Sequence, residues 1–133
     1  MKKEEKTKLV FYRCSVCGNL MIKLEDSGLD PQCCGRDMTV LSPNCEEEFG
    51  EKHSPVWRMN GCKLMIQVGE VLHPMSDKHY IQWIIVETNL GHHLRRFTCE
   101  ESPEVTIALS KGEEVVDIYS FCNIHGLWMS EGC

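Results

Sequence analysis

Residues 55–68 read PVWRMNGCKLMIQV. Two short apolar-rich runs, PVWRM and KLMIQV, flank Asn60-Gly61. Asn-Gly between strand-forming runs is a strong hairpin signal, because both residues tolerate the positive φ of a tight turn. The same texture continues outward through HYIQWIIVET, LRRFTCE, EVTIAL and EVVDIYSF, which Pro103 and Lys111-Gly112 divide. Val116, Ile118 and Ser120 alternate with Val115, Asp117 and Tyr119, the period of a half-buried strand. About six short strands at this spacing predict a small β-sandwich. His92-His93, beside Gly91, reads as an exposed polar turn, and Cys62 and Cys99 read as small apolar residues on strands. No helical pattern exceeds two turns, and there is no internal repeat.

The N-terminal third differs. Residues 9–42 are short and Cys-rich: LVFYRCSVCGNLMIKLEDSGLDPQCCGRDMTVLS. LVFYRC predicts a strand running into a tight C-x-x-C-G turn, NLMIKL a second strand, DSGLDP a turn and MTVL a last strand. So small a unit buries little surface and needs a staple. Residues 43–52, PNCEEEFGEK, are polar and acidic and read as a linker. The expected organisation is a small module over 1–42 and a β-sandwich over 43–133, both mainly β.

The chain has 133 residues, 42% hydrophobic and 26% charged, enough for a globular core. Its formal net charge is −6 and no long run of Lys and Arg occurs, which disfavours nucleic acid as a partner. No apolar stretch is long enough for a signal peptide or a membrane span, so a cytoplasmic protein without membrane association is expected. In a reducing compartment, the nine Cys point to metal or redox chemistry rather than disulfides. Cys45 and Cys133 read as exposed, oxidisable thiols.

Cys14-Ser-Val-Cys17-Gly and Cys33-Cys34-Gly supply four thiols close together in the chain. A tetrahedral thiolate set suits zinc or a single iron. Adjacent Cys33 and Cys34 should distort such a site, which favours a redox iron over a structural zinc.

FCNIHGLW, residues 121–128, holds Cys122 and His125 in a C-x-x-H spacing. That pair alone reads as a metal clamp, a catalytic dyad or two unrelated core residues. The wider set is more specific. His73 and His79 flank the HPMSDKH loop, His53 opens the first strand of the sandwich, and Cys122 and His125 end its last predicted strand. Four imidazoles and a thiolate exceed the needs of tetrahedral zinc and suit iron, with nitrogen in a plane, sulfur on the axis and one position open.

FYRCSVCGN, CCGRDM, EKHSPV, HPMSDKHYIQWI and CNIHGLW occur in that order. In these motifs the chain resembles desulfoferrodoxin, the two-iron class of superoxide reductase, over nearly its whole length. The resemblance implies a desulforedoxin-like module with Fe(Cys)₄ at Cys14, Cys17, Cys33 and Cys34. It also implies an immunoglobulin-like β-sandwich with an exposed Fe(His)₄(Cys) centre, with equatorial His53, His73, His79 and His125 and axial Cys122. It further implies one-electron reduction of superoxide to hydrogen peroxide, a homodimer, and electrons from rubredoxin or a similar donor. Lys52 is expected to attract the anion and order a proton-delivering water, and Glu51 to approach the iron after product leaves. The alternatives are a rubredoxin-like electron carrier using only the four thiolates, and a zinc-stapled interaction module. How the backbone N–H groups near Ile124 and His125 bear on the Cys122 sulfur is a question that the sequence raises and leaves open.

Overall fold

The computed structural model describes residues 9–44 and 53–130. Every element with described bounds is a β-strand. The chain divides into two compact units, Met1–Ser42 and Pro43–Cys133.

In the first unit β1 (Phe11–Arg13) lies between β2 (Leu20–Ile22) and β5 (Thr39–Leu41), antiparallel to both. Tyr12, Cys14 and Met38 are its buried cluster, with Cys33 packed against them. Between β2 and β5 stands a hairpin absent from the sequence reading, β3 (Gln32–Cys33) and β4 (Arg36–Asp37). Two-residue strands carry no periodicity to read. Cys33 pairs with Arg36, leaving Cys34-Gly35 as a two-residue loop with φ of 53° and 74°. Positive φ at both loop positions marks a type I′ turn. Gly35 adopts it freely, whereas Cys34 is the only non-glycine residue so placed among the described residues.

The second unit is an immunoglobulin-like β-sandwich. One sheet has the order β10-β7-β6, from β6 (Pro55–Asn60), β7 (Lys63–Val68) and β10 (Glu104–Ala108). The other has the order β12-β11-β8-β9, from β8 (Ile81–Thr88), β9 (Gly91–Arg96), β11 (Val115–Cys122) and β12 (Gly126–Met129). Between them lies a core of Leu64, Ile66 and Val68 from one sheet against Ile81, Ile84, Val86 and Ile118 from the other. The β6–β7 hairpin forms as expected but one residue later. Asn60 pairs with Lys63, so Gly61-Cys62 is the loop, with Gly61 at φ 64°.

Several expectations need correction. Cys62 is exposed in that turn and Cys99 sits in the turn after β9, so neither is on a strand. His92 and His93 lie on β9, paired with Glu87 and Val86. The expected strand LRRFTCE ends at Arg96, where β9 stops. β12 follows the C-x-x-H turn and was not expected from GLWM, which is short and does not alternate. Val116 falls out of alternation. The β11–β8 register shifts between Val115 and Asp117, and the extra residue is 41% exposed.

A second register shift positions the functional end of the sheet. Phe121 pairs with Trp83, but Cys122 pairs with Ile81. Gln82 is therefore a bulge residue. It lets Ile81 and Cys122 both face the core, where regular pairing would set Gln82 opposite Cys122.

Candidate metal centres

The first centre is built from two turns. In the 14–18 turn the Gly18 N–H donates to the Cys14 carbonyl at 3.0 Å, and Gly18 has φ 80°. The N–H groups of Val16 and Cys17 each lie 3.4 Å from Cys14 Sγ. These donors, Cys17 first, hold the Cys14 thiol down at about 6 from an ordinary 9.0. The I′ turn brings Cys33 and Cys34 opposite, and the four sulfurs lie within 4.8 Å of one another. Cys17 Sγ is 3.5 Å from Cys33 Sγ, which is 3.9 Å from Cys34 Sγ. Sulfurs at the corners of a tetrahedron about 2.3 Å from one ion stand about 3.8 Å apart, so the set fits a single metal. The thiols also need a cation. Hydrogen bonds to the Cys17, Cys14 and Cys33 sulfurs keep the proton on Cys34 and push its thiol up to about 12, so a second thiolate here calls for a cation.

The second centre gathers residues from four places in the chain. His53, just before β6, is held by its backbone: Ser120 Oγ donates to its carbonyl at 2.6 Å. His73 and His79 come from the irregular segment before β8. Cys122 ends β11, and His125 lies in the turn to β12. The four imidazoles form a closed cycle. Centroid distances are 4.6 Å for His53–His73, 4.7 Å for His73–His79, 5.0 Å for His79–His125 and 4.6 Å for His125–His53. Across it, His53 and His79 are 6.2 Å apart, longer than any edge, as in a square.

Donor spacings test which metal geometry this suits. His53 Nε2 lies 2.9 Å from His125 Nδ1, and His79 Nε2 lies 3.1 Å from Cys122 Sγ. Donors at right angles around one ion, about 2.1 Å (N) and 2.3 Å (S) away, stand about 3.0 and 3.1 Å apart, whereas tetrahedral angles require about 3.4 and 3.6 Å. Both contacts match right angles. His125 Nδ1 stands wider from the sulfur, at 3.9 Å.

His73 supplies the clearest sign of a missing partner. Its Nδ1 is 2.7 Å from the Pro74 carbonyl, which can only accept, so Nδ1 carries the proton. Nε2 is then a bare lone pair, buried and without a hydrogen-bond partner. Burial, aided by the charge of His53, holds its pKa down at about 4, so the ring stays neutral. Metal-binding imidazoles have this pattern, the far nitrogen tied to a carbonyl and the near one bare. Burial and the neighbouring His125 likewise lower His79. Burial pushes the Cys122 thiol up, while the N–H groups of His125 and Ile124 pull it down. The His125 N–H lies 3.5 Å from that sulfur, which answers how this backbone meets it.

His53, His79, Cys122 and His125 have donor atoms within 4.8 Å of one another, and His73 completes the cycle of rings. Glu51 and Lys52 lie outside the described residues, as do Cys45 and Cys133. Cys62 and Cys99 join neither set.

The desulfoferrodoxin family profile matches residues 45–131. A desulfoferrodoxin of Syntrophotalea carbinolica is 36% identical over 125 residues, covering 94% of this chain and 98% of that protein. The chain belongs to the desulfoferrodoxin family. A desulfoferrodoxin of Nitratidesulfovibrio vulgaris is 32% identical, covering 90% of this chain and 94% of its own. The crystal structure of the superoxide reductase from Treponema pallidum superposes with a TM-score of 0.76 at 31% identity, covering 92% of this chain and 97% of that one. As in other desulfoferrodoxins, the donor sets fit two iron ions per chain, one among four sulfurs and one among imidazoles and a sulfur. A four-thiolate set is also one that zinc accepts.

Of the residues that hold these donors in place, Gly126 and Trp128 stand out in FCNIHGLW as room for the loop and packing for the ligand strand, whereas sequence reasoning missed Ser120 and Asn44. Ser120 grips His53, and Trp128 stacks on its ring. Asn44 Nδ2 donates to the His125 carbonyl at 2.7 Å. Gly126, at φ 81°, leaves room for it, since a Cβ there would meet Asn44 Nδ2 at 3.3 Å. Ser120 and Asn44 carry no signal by residue type. Their roles depend on which strands meet.

Proposed function

We propose that this chain is a superoxide reductase, converting superoxide to hydrogen peroxide and so protecting the cell from oxidative damage. The reaction takes up one electron and two protons: O₂•⁻ + e⁻ + 2 H⁺ → H₂O₂. The observation that carries the reading is the square of four imidazoles with the Cys122 sulfur beside it, at spacings that suit right-angled coordination. Ferrous iron held by this set would supply the electron and could bind a small anion.

His53, His73, His79 and His125 would hold the catalytic iron through their imidazole nitrogens and Cys122 through its sulfur. Cys14, Cys17, Cys33 and Cys34 would hold the other iron, which would relay electrons or staple the small module. The module spans 1–42 and the catalytic sandwich 43–133. Lys52, directly before His53, offsets the repulsion that a net charge of −6 exerts on superoxide and orders a water that delivers a proton. Glu51 would offer a further carboxylate donor to the catalytic iron. A cytoplasmic location, a homodimer and electrons from rubredoxin or a similar carrier complete the reading. Among the described residues, no helix is long and apolar enough to cross a membrane.

Stopped-flow mixing of the reduced protein with superoxide, with peroxide and oxygen followed separately, tests the reading. Reduction yields peroxide without oxygen. Oxygen evolved alongside peroxide would mean dismutation, and no reaction would leave an electron carrier. Sedimentation equilibrium tests the dimer, which a monomer mass at micromolar concentration would exclude.

A further inference from the structure

We propose that Asn123 is a positioning residue that sets the spacing between His79 and Cys122, an inference that rests on the ligand set above. Asn123 directly follows Cys122 and precedes His125 by two residues. Its bonds run elsewhere, to the peptide units on both sides of His79. Its backbone N–H donates to the Tyr80 carbonyl at 3.2 Å. Its Oδ1 accepts the Tyr80 N–H at 2.9 Å, and its Nδ2 donates to the Lys78 carbonyl at 2.9 Å.

The need for such a residue follows from the strand register. Pairing between β11 and β8 ends at Cys122 and Ile81. Beyond it one more backbone bond, from the Asn123 N–H to the Tyr80 carbonyl, is made before the chain turns toward Gly126. His79 lies two residues before Ile81, outside the sheet. Its own segment is shaped internally, with the Ser76 N–H donating to the His79 carbonyl at 2.9 Å and the His79 N–H reaching Ser76 Oγ at 3.2 Å. Those bonds fix the shape of the loop but do not tie it to β11. A primary amide offers a donor and an acceptor side by side, as a peptide unit does. The Asn123 side chain thus extends the sheet by one step, to the point where His79 enters.

The consequence falls on one distance. His79 Nε2 stands 3.1 Å from Cys122 Sγ, against 3.9 Å for His125 Nδ1. Asn123 is joined covalently to Cys122 and by hydrogen bonds to both neighbours of His79, so it spans this contact. Partners that orient metal ligands typically change metal affinity by about 10–100-fold when removed.

Two variants test the inference. Asn123→Ala removes both side-chain bonds. Asn123→Asp keeps the acceptor for the Tyr80 N–H but sets a second carboxylate oxygen against the Lys78 carbonyl. The readouts are the thiolate-to-iron charge-transfer band of the oxidised His/Cys centre and the rate at which a chelator removes that iron. The Fe(Cys)₄ band of the same molecule is the internal reference. Asn123→Ala should shift the band and speed iron loss on the order of tenfold, with the Fe(Cys)₄ band unchanged, and Asn123→Asp should fall between it and the unaltered protein. If Asn123→Ala does not fold, Asn123→Asp decides. An unchanged band and loss rate in the variants overturn the positioning role while leaving the ligand set intact. An unaltered protein without the second thiolate band overturns the ligand set and this inference together.

Discussion

Trp128 and His53 stack, with ring centroids 4.9 Å apart and planes 19° from parallel. Both are 2% exposed. The stack fixes the imidazole by its face while Ser120 fixes the His53 carbonyl at 2.6 Å, so β11 and β12 together aim a residue that belongs to neither. His53 in turn sits 2.9 Å from His125 Nδ1.

Trp128→Ala should therefore destabilise the sandwich by about 3–5 kcal/mol, the usual cost of emptying a buried aromatic site. Trp128→Phe should cost less, because a ring still lies on His53. It also removes the indole N–H, which is buried without a partner. Urea unfolding followed by circular dichroism measures both. A Trp128→Ala variant within about 1 kcal/mol of the parent would mean that the site collapses around the loss.

The donors of both centres were legible because Cys and His are rare and chemically distinct, and because Cys14/Cys17, His73/His79 and Cys122/His125 come in tight spacings. The sandwich was legible from the apolar runs flanking Asn60-Gly61, the alternation in EVVDIYSF and the breaks at Pro103 and Lys111-Gly112. What holds the donors was not. Ser120 and Asn123 are ordinary strand and turn residues until the Gln82 bulge decides which face β8 presents to Cys122 as it leads back toward His79. A bulge moves every side chain beyond it to the other face, and composition does not encode it. The β3–β4 hairpin, which sets Cys33 and Cys34 side by side, escaped for a different reason. Each of its strands is only two residues long.

Glu113 should make the sandwich acid-sensitive. Its Oε2 accepts from Thr88 Oγ1 at 2.6 Å and lies 2.8 Å from His93 Nε2, and its Oε1 accepts the Ser110 N–H at 3.0 Å. The Thr88 bond first, then those from Ser110 and His93, hold the carboxyl at about 2 from an ordinary 4.5. A depressed folded pKa stabilises the protein above the unfolded value, and that contribution fades as pH falls through the folded one. It is thus whole above pH 4.5 and lost progressively toward pH 2. Glu113→Gln should melt lower than the parent at neutral pH, with the gap closing across this window. Parallel melting curves from pH 7 to pH 3 would show that the carboxylate does not matter (pH values about neutral and about a unit above the folded pKa).

Lys52→Ile should slow the second-order reaction with superoxide by about tenfold or more and flatten its dependence on ionic strength, since steering by a local charge is screened by salt. Pulse radiolysis at several salt concentrations reads both effects. Unchanged rates would remove Lys52 from the reaction.

Removing iron should separate the two units by their cores. Among the described residues the first buries just Phe11, Tyr12, Cys14 and Met38, and Cys14 itself supplies the thiolate cluster. The second has an apolar core running through both sheets. A unit with so small a core depends on its staple, and structural zinc in comparable small modules contributes about 10–16 kcal/mol of apparent binding free energy to folding. Chelation under reducing conditions should open residues 9–42 to protease while the sandwich stays resistant, and adding iron or zinc back should restore protection. Mass mapping of the cuts is the readout. Cleavage confined to the sandwich, or protection of 9–42 without metal, would show that β1, β2 and β5 hold without the thiolate centre.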